Sequence, residues 1–125
     1  MTKRVLIADD EPNIVVSLEF LMRQNGFDVR IVRNGDEALA AVAEFAPDLV
    51  LLDVMMPVRN GYEVAQRIRE NPAWQGIKIV MLTAKGRETE VSKGIAVGAD
   101  AYVTKPFSTR ELVERVKRLV GGKGG

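Results

Sequence analysis

Apolar residues fall along this chain in short unbroken runs, separated by longer stretches with a helical period. The clearest runs are Val5-Leu6-Ile7-Ala8, Leu49-Val50-Leu51-Leu52 and Ile79-Val80-Met81-Leu82. Ala101-Tyr102-Val103 is weaker, and Val29-Arg30-Ile31-Val32 is mixed. Runs this short and rich in β-branched residues suit strands buried on both faces. Between them, Ile14, Leu18, Leu21 and Met22 predict a helix with Pro12 in its first turn and Gly26 at its end. Ala38, Leu39 and Val42 predict a second, opened by Asn34 with Glu37 three residues on. Val64 and Ile68 mark a third, stopped before Pro72, and Val91, Ile95 and Ala96 a fourth. Ser108-Thr109-Arg110-Glu111 reads as a capping box ahead of Leu112, Val116 and Leu119, the fifth. Five strand–helix repeats predict an α/β fold: a parallel sheet with helices on both faces and right-handed crossovers.

The chain has 125 residues, the size of one domain, and two residue types are missing: cysteine and histidine. Disulfides, thiolate or imidazole metal ligands, cysteine nucleophiles and Ser-His-Asp triads are therefore excluded. Any metal is expected to be a hard cation on oxygen ligands. Lys+Arg is 18 against Asp+Glu 17, a net charge of +1, which argues against nucleic acid as a direct partner. The basic residues Arg110, Arg115, Lys117 and Arg118 are expected to form a solvated helix face. No apolar run approaches the roughly 20 residues of a membrane span, and no signal-peptide core follows Met1, so a cytoplasmic protein is the expectation. Residues 1–120 are expected to form the domain and 121–125 a flexible glycine-rich tail or linker stub.

The chemistry gathers where the predicted strands end. The first ends in Asp9-Asp10, the third in Asp53, the fourth in Thr83, and the fifth leads through Thr104 to Lys105-Pro106. In a parallel sheet these ends share one edge, outside which ligands bind. Each residue alone has an ordinary role open to it: Asp9, Asp10 or Thr83 as a helix cap, Asp53 as a turn acid, Lys105 as a surface lysine. Capping does not explain complementary charge on successive strand ends. Two carboxylates about 4 Å apart repel by about 4 kcal/mol at an effective dielectric of 20, so either a pKa rises or a cation binds. With oxygen ligands alone Mg²⁺ is the natural occupant, and Mg²⁺ with open positions works on phosphates. An Asp carboxylate is itself able to act as nucleophile and form an acyl phosphate.

Taken together, Asp9-Asp10-Glu11-Pro12, Asp53-Val54-Met55-Met56-Pro57 with Gly61, Thr83-Ala84, Tyr102 and Lys105-Pro106-Phe107 resemble the response-regulator receiver domains, the CheY-like group of two-component signalling, from about Lys3 to Val120. The resemblance implies a five-stranded parallel sheet, doubly wound (βα)5, in the flavodoxin-like order 2-1-3-4-5. It implies a phosphorylation-dependent switch with Asp53 as phosphoacceptor. Asp10, Asp53 and the backbone carbonyl of Met55 would ligate Mg²⁺, or Mn²⁺ in its place, with Asp9 acting through a water. Lys105 would contact the phosphoryl group and pair with Asp53 beforehand, across a cis peptide to Pro106. Thr83 would move toward the phosphoryl group, the backbone N–H groups of Val54 and Ala84 would cradle it, and the Tyr102 ring would turn inward. That movement would alter the face made by the fourth helix, fifth strand and fifth helix. The implied partners are a histidine kinase or histidine phosphotransfer protein, and a downstream protein target or an output domain absent from this chain; a phosphorylation-dependent dimer is compatible. On this reading the chain catalyses only its own phosphorylation and dephosphorylation. The resemblance also implies that Met55, Arg59 and Lys85 stand at positions that vary within the family. A thioether at Met55 orients an attacking water poorly, which predicts slow self-dephosphorylation.

Two other classes compete with this reading. A haloacid-dehalogenase-type phosphatase also uses Asp, Thr, Lys and Mg²⁺, but its nucleophile lies in an early Asp-x-Asp motif, whereas here the paired acids come first and Asp53 is followed by Val54-Met55. A flavin or nucleotide binder of the same architecture would carry a glycine-rich loop after the first strand, where Asp9-Asp10 stands instead.

Overall fold

A computed structural model describes residues 2–58, 60–84 and 98–121. Strands β1 (Arg4–Ala8), β2 (Asp28–Val32), β3 (Leu49–Asp53), β4 (Lys78–Ala84) and β5 (Ala101–Lys105) form one sheet in the order β2-β1-β3-β4-β5. All neighbours are parallel. Helices α1 (Pro12–Gln24), α2 (Gly35–Phe45), α3 (Gly61–Glu70) and α4 (Thr109–Gly121) connect or follow the strands. The helix expected around Val91, Ile95 and Ala96 lies outside the described residues, as do Arg59 and Lys85.

Alternation along the strands sorts the core into two layers. Leu6, Ala8, Val50, Leu52, Ile79 and Met81 pack with Ala38 and Val42 of α2 and Val64 and Ile68 of α3. The intervening residues Val5, Ile7, Leu49, Leu51, Val80 and Leu82 pack with Leu18 and Met22 of α1 and Leu112 and Val116 of α4. Both sheet faces are covered, which is why the central strands read as unbroken apolar runs. All five residues of β3 are buried.

The helix ends follow local chemistry. Pro12 opens α1, and Gly26 takes a φ of 88° after its last turn. Neither Asp9 nor Asp10 caps α1: its N-cap is Glu11, with no side-chain cap bond. Both acids are thereby left to the sheet edge. Asn34 caps α2 by accepting from the Glu37 N–H, and the Glu37 carboxylate accepts from the Arg33 N–H. Asn60 and Glu63 form a reciprocal capping box on α3. The Glu111 N–H donates to Ser108 Oγ at 3.2 Å at the start of α4.

Val58, in the loop between β3 and α3, has a φ of 72°. A β-branched residue there is strained by about 1–2 kcal/mol, and Val58 is 70% exposed, so packing offers little return. Val58→Asn is expected to raise stability by about 1 kcal/mol, because asparagine tolerates this conformation. A urea titration checks it; an unchanged or lower midpoint would refute it.

Candidate functional site

The site stands on the carboxyl edge of the sheet, and the strand register builds it. Val54, just past β3, donates its N–H to the Leu82 carbonyl at 3.0 Å. Asp53 thereby lies beside β4, opposite Leu82. Ala84 lies opposite Lys105. Asp9 continues β1, its N–H donating to the Val32 carbonyl of β2. Asp9, Asp10 and Asp53 each present a carboxylate oxygen within 4.8 Å of the others. Asp9 and Asp53 are buried, while Asp10 is exposed.

A buried carboxylate requires hydrogen bonds or counter-charge. Asp9 has both: Oδ1 accepts from the Glu11 N–H at 2.9 Å, and Oδ2 from Lys105 Nζ at 3.1 Å. Asp53 is less well compensated. Its Oδ1 accepts from the Met55 N–H at 3.1 Å, and its Oδ2 lies 3.6 Å from Lys105 Nζ. Burial and the neighbouring Asp9 charge push the Asp53 carboxyl up to about 6, against the opposing pull of the Met55 N–H and Lys105. Burial alone would pull Lys105 down, but Glu11, Asp53 and Asp9 together hold it above the usual lysine range, so it is charged at neutral pH. A cluster of three acids and one fixed ammonium keeps a negative excess. Three converging carboxylates are hard oxygen donors and fit a divalent cation such as Mg²⁺.

The expected partner of Lys105 needs refining. Its shortest contact is Glu11 Oε1 at 2.6 Å, ahead of Asp9, with Asp53 farthest. The Val54 N–H, expected to cradle a ligand, has a backbone partner in this structure. That N–H is spent on Leu82, because the β3–β4 ladder runs one residue past β3. The N–H against the Asp53 carboxylate belongs to Met55. The Met55 side chain is 54% exposed beside it. Lys105-Pro106 is cis.

Thr83 and Tyr102 stand together on the other face of the sheet edge. Thr83 pairs with Thr104 and Met81 with Tyr102. Tyr102 packs against the layer that holds α2 and α3. Thr83 Oγ1 and the Tyr102 hydroxyl are both buried without a hydrogen-bond partner among the described residues. Buried polar atoms usually have one, so two orphans on neighbouring strands are an exception with a cause to find. Burial raises the Tyr102 phenol, which keeps it protonated. A cleft of about 320 Å³ opens beside Tyr102, between β5 and α4, lined also by Pro106, Phe107, Leu112 and Arg115; none of the acids borders it except Glu111.

Residues 5–117 match the response regulator receiver domain family. The chain belongs to that family. As a receiver domain of two-component signalling, it is 45% identical over 117 residues to the DNA-binding response regulator MtrA of Mycolicibacterium smegmatis. That alignment takes in 94% of this chain and 50% of the relative, so the chain spans about half the length of the curated relative it matches. Among solved structures, the chemotaxis response regulator CheY4 of Vibrio cholerae is 29% identical with a TM-score of 0.89, covering 95% of this chain and 99% of that one. The receiver domain of the sensor histidine kinase PA1611 from Pseudomonas aeruginosa PAO1 is 26% identical with a TM-score of 0.89, covering 98% and 100%. Its crystal structure holds a magnesium ion coordinated in the active-site cleft. The receiver fold and its site order leave no support for the phosphatase alternative. Among the described residues, no helix is long and apolar enough to cross a membrane.

Proposed function

We propose that this receiver domain accepts a phosphoryl group on Asp53 from a phosphohistidine of a partner histidine kinase or phosphotransfer protein. The observation that carries this reading is the unequal treatment of three acids. Both Asp9 oxygens are engaged and Asp10 is exposed, while Asp53 is buried, under-compensated and raised to about 6, with Oδ2 at 3.6 Å from an ammonium. A carboxylate with a raised pKa is the better nucleophile, yet it is ionised at neutral pH. Its oxygen would form the new bond to phosphorus as the phosphorus–nitrogen bond to the donor imidazole breaks. The histidine is the partner's, since this chain has none.

Each neighbour then has a task. Lys105 would offset phosphoryl charge, and the Met55 N–H would steady the acceptor carboxylate. Ala84 would offer its backbone N–H. Asp10, Asp53 and the Met55 carbonyl would hold Mg²⁺, with Asp9 behind a water; Mn²⁺ would fit the same donors. The ion would supply the positive charge that the four charged side chains lack. Thr83, whose buried hydroxyl has no partner among the described residues, would turn to a phosphoryl oxygen, and Tyr102 would follow into the space released. The β5–α4 face with its cleft would then read out the change to a downstream protein, an output domain on a longer chain, or a second copy in a phosphorylation-dependent dimer. On this reading the protein acts in the cytoplasm and turns over no external substrate.

Incubation with Mg²⁺ and phosphoramidate, followed by intact mass, tests the proposal. One phosphoryl adduct is expected, dependent on Mg²⁺ and removed by hydroxylamine, as an acyl phosphate would be. No adduct, or one stable to hydroxylamine, would overturn it.

A further inference from the structure

Lys105 reaches three carboxylates, and the closest is the one outside the acidic triad. Nζ lies 2.6 Å from Glu11 Oε1, 3.1 Å from Asp9 Oδ2 and 3.6 Å from Asp53 Oδ2. Asp9 and Asp53 are buried under the ammonium, whereas the Glu11 side chain is 57% exposed. Glu11 therefore holds Lys105 from the solvent side. Among the described residues its side chain has no other hydrogen-bond or ion-pair partner: it is the N-cap residue of α1 without a side-chain cap bond, and its N–H serves Asp9 from the backbone.

From this geometry we infer that Glu11 is a positioning residue that competes with the phosphoryl group on Asp53 for Lys105. The inference rests on the phosphoacceptor reading above. An ammonium has three N–H donors, two of which serve Glu11 and Asp9, but the 2.6 Å contact fixes where Nζ sits, and Nζ must shift away from it to close on a group built outward from Asp53. Half-exposed ion pairs are individually weak, so the effect is one of tuning: a shift of the phosphorylated population by several-fold, not an on–off change.

The experiment is calorimetric titration with beryllofluoride in Mg²⁺, since this tetrahedral phosphoryl mimic reports equilibrium affinity without donor chemistry. Binding to the wild type tests the underlying reading, and its absence would count against that reading alone. Glu11→Gln is expected to tighten binding about three- to five-fold, in keeping with a weak partly exposed pair. Glu11→Asp keeps the charge but is one methylene shorter and cannot make the 2.6 Å contact; it is expected to resemble Glu11→Gln. If Glu11→Asp behaves like wild type while Glu11→Gln tightens, bulk charge and not the lysine contact is responsible, and the inference falls. It also falls if Glu11→Gln leaves affinity unchanged or weakens it. In a Lys105→Gln background the effect of Glu11→Gln should vanish; a full effect there would overturn the assignment.

Discussion

In the presence of a chelator, Asp53→Asn is expected to be more stable than the wild type at pH 7.5 by about 1–3 kcal/mol, and to accept no phosphoryl group. The sign follows from proton linkage. The folded Asp53 carboxyl titrates near 6, against an ordinary value of 3.8 in the unfolded chain. The folded state thus binds this proton more tightly than the unfolded state does. Stability from this group rises as the pH falls through 6 and levels off below about 4. Above 6 the wild type bears the cost of a buried charge facing Asp9. Asparagine has the same shape and no charge, so it removes that cost. Urea unfolding at pH 7.5 and pH 5.0 reads the difference. The wild type should gain on the variant as the pH falls, with about half of the gap closed at pH 5 and the rest by about pH 4. A variant less stable than wild type at pH 7.5 would show that Lys105 compensates Asp53 fully. Restoring Mg²⁺ should stabilise the wild type selectively, because an ion held by the folded state alone adds its binding free energy to folding.

Gly61→Ala is expected to destabilise the domain by about 2–3 kcal/mol, at the upper end of overpacking costs. A Cβ there would stand 2.5 Å from the Asp53 carbonyl oxygen and 2.9 Å from Val54 Cα. Both are backbone atoms, and both belong to the segment that carries Asp53. The Gly61 N–H also donates to the Val54 carbonyl at 2.9 Å, so α3 starts directly against the site strand. The clash cannot be relieved by turning a side chain. It must move the start of α3 or the end of β3. Gly76→Ala is the control: a Cβ there meets nothing within 4 Å, and a change within about 0.5 kcal/mol is expected. Equal midpoints for Gly61→Ala and wild type would show slack between α3 and β3.

The sequence showed the sheet and the edge because parallel strands impose a simple rule. Strand ends meet at one edge, so Asp9, Asp10, Asp53, Thr83 and Lys105 could be gathered from four apolar runs without knowing any side-chain position. The helix starts at Asn34 and Ser108 were equally visible, because capping is local. Three features were hidden for a common reason: they depend on reach or on register by one residue. Glu11 meets Lys105 across 94 positions, and no spacing signals it. Val54 looks like a free loop amide until the β3–β4 ladder is seen to continue past Asp53. Arg69 of α3 donates to the Gly98 carbonyl at 2.9 Å and to Asp100 at 2.8 Å, while Asp100 also accepts from the Ile79 N–H. That clamp ties α3 to the starts of β4 and β5, yet in the sequence Arg69 is only a charged residue on a helix. The need for glycine at Gly61 is visible as a residue type, but its cause, a backbone approach, is not.

The bond between Asp9 and Lys105 spans 96 positions of the chain. A ribosome delivers the acids well before the lysine, and at about 5–20 residues per second the gap lasts several seconds. During that time the nascent chain has its acidic residues without the ammonium that compensates Asp9. β5, which follows the acids in the chain, is the strand that brings the ammonium to them. A chain that stalls or is cut before Lys105 would carry the Asp9 carboxylate without its ammonium partner.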